Sequence, residues 1–137
     1  MNFDAITDFP FHYHSKTRWK DMDSFGHVNN GVFLTYIEDA RVTFFNRWGI
    51  NDPKKSIILA SVKIDFLNQI KHPSDLIIGQ KLSRIGKSSF DIQSGIYVQD
   101  ANKPSASSVV TCVCYDYEVN KSVAVYDTIK SDFSSSF

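Results

Sequence analysis

The sequence predicts an α+β domain in which a curled antiparallel sheet of about five strands wraps one long central helix. Three observations predict it: one amphipathic stripe of helical period over 31–48, strand-like runs before and after it, and turns between the later runs too short for the crossovers that parallel strands need. With 137 residues, 42% of them hydrophobic and 14% aromatic, the chain has material for one compact core, and residues 1–137 read as a single domain.

The first strand-like run, 11–20, reads Phe-His-Tyr-His-Ser-Lys-Thr-Arg-Trp-Lys, and its alternation puts His12 and His14 on one face. No third ligand has matching spacing, so the pair reads as a solvated or interface face rather than a metal site. In the helix, Phe33, Ile37, Ala40, Phe44 and Trp48 recur at spacings of four and three, Tyr36 widens the stripe, and Gly49 follows as a stop. Asn29 or Asn30 can cap its start. Glu38 and Arg41, three apart, are placed to pair and brace it.

The next run, 56–69, alternates through Ile58, Ala60, Val62, Ile64 and Phe66. Runs at 75–85, 88–99 and 105–117 follow in meander-like order, divided by His72-Pro73, Gly86-Lys87 and the loop 100–104, and 122–126 can add an end. The serine-rich segment 131–137 reads as a loose tail. Cys112 and Cys114, two apart in an extended run, point to one face and read as buried structural thiols.

Composition narrows the function classes. Fifteen acidic and fifteen basic residues cancel, so there is no global basic field of the kind duplex nucleic acid requires. No window approaches the ~18 apolar residues of a membrane span and the first residues do not resemble a secretory signal, so a cytoplasmic protein with no membrane partner is expected.

Chemistry concentrates in 18–30, Arg-Trp-Lys-Asp-Met-Asp-Ser-Phe-Gly-His-Val-Asn-Asn, directly ahead of the helix. Unpaired N–H groups and the helix dipole at that end favour negative charge, so the segment reads as an oxyanion site with a carboxylate beside it. Asp23 near such an end stays ionised, able to attack a carbonyl or to activate water, while N–H groups around Asn30 and Gly31 stabilise a developing oxyanion. His27 can hold a carbonyl or brace the loop. The bland alternative is that Asp21 and Asp23 only cap and brace it.

The pattern Asp21-x-Asp23-x-x-Gly26-His27-Val28-Asn29-Asn30, followed by Tyr36-x-Glu38-x-x-Arg41, resembles the hotdog-fold acyl-CoA thioesterases of the 4-hydroxybenzoyl-CoA thioesterase family, in the branch whose loop reads Gly-His-Val-Asn-Asn. The likeness covers nearly the whole chain, with the loop and helix as its specific part. It implies the hotdog fold, Asp23 as catalytic carboxylate, Asp21 as a loop support, and hydrolysis of a thioester without metal or other cofactor. Some such enzymes carry a His seven residues after the catalytic Asp; here that position is Asn30. Coenzyme A phosphates would sit at Lys87, Ser88 and Ser89, where a cation and hydroxyls suit them. Phe25 and Phe66, with Phe33, Tyr36 and Phe90, can line an aryl pocket or an aliphatic channel. The resemblance also implies a homodimer or homotetramer with the site between subunits, Asp23 facing residues 65–68 of a second copy. The donor is an acyl-CoA or a carrier-protein thioester. Two alternatives stand beside hydrolysis: a non-catalytic acyl-thioester binding module, and a hotdog dehydratase or hydratase.

Overall fold

Phe33, Tyr36, Ile37, Ala40 and Phe44 are all at most 2% exposed, so the helical stripe forms the centre of the core. The computed structural model describes residues 4–50 and 52–135. The chain runs β1 (Phe11–Lys16), α1 (Asn30–Phe45), β2 (Ser56–Phe66), β3 (Asp75–Ile85), β4 (Ser89–Val98), β5 (Ala106–Asp116), β6 (Lys121–Ser122) and α2 (Asp127–Ser135). Every pairing is antiparallel and the strand order is β1-β3-β4-β5-β2, with β6 added on β5. The sheet curls around α1, which packs chiefly on β1, β3 and β4 against Ile78, Ile92 and Ile96.

Several boundaries differ from expectation. The first strand ends at Lys16, because the N–H of Thr17 turns to the Ser74 carbonyl at 3.0 Å and the chain enters a single 3-10 turn, Trp19–Asp21. The helix closes at Phe45 and tightens to a 3-10 turn, Asn46–Trp48, before Gly49 at φ 62° stops it. Strands 3, 4 and 5 form a meander, but β2 does not join it: β2 pairs β5 at the far edge, and the segment 67–74 crosses the end of the sheet to reach β3. Its alternation also breaks, since a register shift between Leu59 and Ser61 makes Ile57 and Ile64, not Ile58 and Ala60, its core contacts.

The tail expected at 131–137 is, over 131–135, the second half of α2; residues 136 and 137 lie outside the described ones. Ile129 is fully buried, Trp48 Nε1 donates to Asp132 Oδ2 at 2.7 Å, and Arg47 pairs with the same carboxylate at 3.0 Å. The helix is held by packing, which overrides its poor intrinsic propensity. Glu38 and Arg41 form no ion pair with each other. Cys112 and Cys114 are buried and free, and burial pushes the Cys112 thiol up to about 12. His12 and His14 share the exposed face of β1, and the His12 Nε2 lies 2.8 Å from the Ile6 carbonyl.

Candidate active site

The loop between β1 and α1 is built on a buried carboxylate. Asp21, 1% exposed, accepts from the Tyr36 hydroxyl at 2.6 Å, from the Arg18 amide at 2.9 Å and from Arg18 Nε at 3.0 Å. Burial acts to raise its pKa, but the bonds from Tyr36 and Arg18 outweigh it and hold the carboxyl below the usual range. Its backbone carbonyl accepts from the Asn29 N–H at 2.9 Å, so one residue ties the loop to the helix and positions the N-cap.

Beyond it the chain makes a tight hairpin. Met22 and Val28 bridge, and the Asp23 N–H donates to the His27 carbonyl at 2.7 Å. Gly26 at φ 82° makes the reversal, a backbone conformation that a side chain would strain. The result aims two amides at one oxygen: Phe25 N–H and His27 N–H donate to Asp23 Oδ1 at 2.8 and 3.1 Å. The His27 amide, against a smaller burial penalty and helped by Phe25, holds the Asp23 carboxyl below the usual carboxylate range. Both bonds fall on Oδ1, which leaves Oδ2 outside them.

Asp23 lines a cavity of about 270 Å³ together with His27, Asn30, Phe33, Phe66 and Asn68. A larger cleft of about 550 Å³ between Phe45, Ile57 and Tyr117 has no His and no helix N-terminus, so chemistry rather than size selects the smaller one. The Asn29 side chain caps α1 by accepting from the Gly31 N–H at 2.9 Å. That bond engages one of the two donors expected for an oxyanion, and the Asn30 N–H is the one left without an acceptor among the described residues. His27 braces the loop through its backbone and lines the cavity, and its side chain has no hydrogen bond among the described residues.

Other expected site residues fall differently. Phe66, together with Leu67 and Asn68, reaches Asp23 within one chain, although a second copy was expected to supply this segment. The segment 67–74 brings it there by passing the Asp23 loop, where Val28 N–H donates to the Ile70 carbonyl at 2.8 Å and His27 bridges Lys71. The Phe33 and Phe66 rings then meet at 5.3 Å. Phe25 is 84% exposed and does not line the cavity.

Lys87, Ser88 and Ser89 lie at the opposite end of β3 from the 70–74 segment, roughly 33 Å away along an eleven-residue strand. There the Lys87 carbonyl accepts from Val125 N–H at 3.0 Å, the Ser88 carbonyl accepts from Cys114 N–H at 2.9 Å, and the Ser89 hydroxyl accepts from Arg84, which also pairs with Asp91. One chain therefore does not bring this turn to its own Asp23. Tyr36, expected to widen the apolar stripe and to line the acyl pocket, is not among the residues lining the cavity and instead has a polar role, its hydroxyl donating to Asp21.

The family described as the thioesterase-like superfamily matches residues 17–133. The uncharacterized protein YsmA of Bacillus subtilis is 28% identical over 128 residues, covering 90% of this chain and 85% of that protein. A Thermus thermophilus thioesterase complexed with coenzyme A and zinc is 25% identical, with a TM-score of 0.80 over 91% of this chain and 98% of that one. The PA5185 protein of Pseudomonas aeruginosa shares the fold at a TM-score of 0.87 and 19% identity, over 96% of this chain and 94% of that one.

Proposed function

The chain belongs to the thioesterase-like superfamily, and from that premise we propose that it hydrolyses acyl-CoA thioesters to free acid and thiol, as a member of the Gly-His-Val-Asn-Asn branch of the 4-hydroxybenzoyl-CoA thioesterase family. The observation that carries the reading is the Asp23 carboxylate, kept anionic by two backbone amides and facing a cavity at the N-terminus of α1. The thioester carbonyl sits between Asp23 and the Asn30 N–H. Either Asp23 attacks it, the thiolate leaves, and water then cleaves the resulting acyl-Asp23 anhydride to the free acid, or Asp23 takes a proton from a water that adds to the carbonyl and passes that proton to the departing thiolate; in both, negative charge builds on the carbonyl oxygen beside the helix terminus. Every step uses groups of the chain and the substrate, with no resident cofactor. An acid for dehydration would have to be protonated, which the depressed Asp23 pKa disfavours. Thiol release from a panel of acyl-CoAs of varied chain length and aryl character tests the reading, and no turnover of any member overturns it.

Assembly is part of the proposal. Among the described residues β2 pairs only β5, and it presents Leu59, Val62 and Phe66 at 48%, 38% and 45% exposure, an edge that invites another strand. A second copy joined there under two-fold symmetry covers the edge and stands beside both Asp23 cavities. At micromolar concentration the expected species sediments at twice the 15.6 kDa chain mass, and Val62→Lys should dissociate it and lower activity. An active wild-type monomer would refute the shared site. By the same reading the protein acts in the cytoplasm; no described helix is long and apolar enough to cross a membrane.

A further inference from the structure

The loop that carries Asp23 also carries Trp19, which is 81% exposed. An indole this open is unusual, because its large apolar faces gain nothing from water. It is nevertheless held in place. Asp21 N–H and Met22 N–H donate to the Arg18 and Trp19 carbonyls at 3.0 and 3.3 Å, closing the 3-10 turn under it. The His72 imidazole meets the indole edge-on, with ring centres 6.1 Å apart, and His72 Nδ1 is anchored 2.8 Å from the Thr17 hydroxyl.

A cation flanks each member of this pair in the sequence. Lys20 follows Trp19, and Lys71 precedes His72 while its backbone bridges His27. Both lysines are exposed and neither ammonium has an ion-pair partner among the described residues. Arg18, half exposed beside them, gives its charge to Asp21. Trp19 stands four residues from Asp23, within about 14 Å of chain, whereas the Lys87 turn of the same chain is roughly 33 Å off along β3.

Resting on the thioesterase reading, we propose that Trp19, His72, Lys20 and Lys71 form the subsite for the nucleotide end of the substrate, an adenine ring with its phosphates. The base stacks on the open indole face, and the two ammonium groups take the phosphates as point charges. The reacting end then lies in the Asp23 cavity, and the subsite adds affinity without touching the chemistry.

Adenosine 3′,5′-bisphosphate alone is the direct probe. The chain has two tryptophans and Trp48 is 8% exposed, so nucleotide stacking should quench Trp19 emission saturably, with the effect weakened by salt and lost in Trp19→Ala. In kinetics, the ratio of kcat/KM for an acyl-CoA to that for the same acyl group on N-acetylcysteamine should fall about tenfold in Trp19→Ala, the scale of one base stack. No saturable quench, an unchanged ratio, or a fall confined to Lys87→Ala overturns the subsite. So does a Trp19→Ala protein that sediments as a smaller species than wild type, since Trp19 would then be a contact between copies. Wild type that turns over neither thioester overturns the thioesterase reading instead, while the nucleotide titration still decides the subsite.

Discussion

Asp23→Asn is expected to fold like the wild type and to lose at least about 100-fold in hydrolysis rate, the scale of losing a general base. The amide oxygen of Asn can still accept from Phe25 N–H and His27 N–H, the two bonds that shape the hairpin, so geometry survives while charge and basicity go. The pH profile tests Asp23 directly. Because its pKa is depressed, Asp23 is anionic at all pH values above its folded pKa and loses function only as pH falls through that pKa, below the usual value of about 3.9. kcat/KM should therefore show no acid limb between about pH 5 and pH 7. An acid limb inside that window would assign the base to a group other than Asp23, and wild-type turnover by Asp23→Asn would remove Asp23 from the chemistry.

The parts of this molecule that were legible in the sequence are those whose signal is local. The spacing of Phe33, Ile37, Ala40 and Phe44 marks the buried helix face because periodicity follows directly from helix geometry, and the capping Asn29 sits where an N-cap must. The Asp23 loop stood out because Asp, Gly, His and Asn fall together within a few positions just ahead of the helix start. Long-range choices were not readable. Nothing in 56–69 shows that β2 pairs β5 rather than β3, since strand partner choice depends on the path of the 67–74 segment across the sheet. That same crossing is what puts Phe66 beside Asp23 in one chain. A bulge at Ala60 reverses the face of half a strand without leaving a mark in composition. The second helix was hidden by its serines, although Ile129 and Phe133, four apart, carry its apolar side.

Asp21→Ala should show the opposite balance to Asp23→Asn, with a large loss of stability and a smaller direct effect on chemistry. Asp21 is buried and its Oδ2 accepts a 2.6 Å bond from the Tyr36 hydroxyl, which removal of the carboxylate would leave buried without its acceptor. A hydrogen bond to a charged group contributes about 1.5–3 kcal/mol. The ion pair adds little, because the Arg18 side chain is 53% exposed and water screens it. The expected cost is thus about 2–3 kcal/mol, or a drop of roughly 10 °C in Tm for a domain of this size. Protonation should erase the difference. Asp21 has a depressed folded pKa, so its contribution is fully present above the unfolded value of about 3.9 and is lost as pH falls through the folded pKa. Thermal melts of wild type and Asp21→Ala should accordingly differ at pH 7 and converge in acid. Activity should fall in both Asp21→Ala and Tyr36→Phe, since each loosens the tether between loop and helix, yet by less than in Asp23→Asn. Equal melting temperatures at neutral pH would show that the loop is held by its backbone alone, and that Asp21 is not the residue on which the site is built.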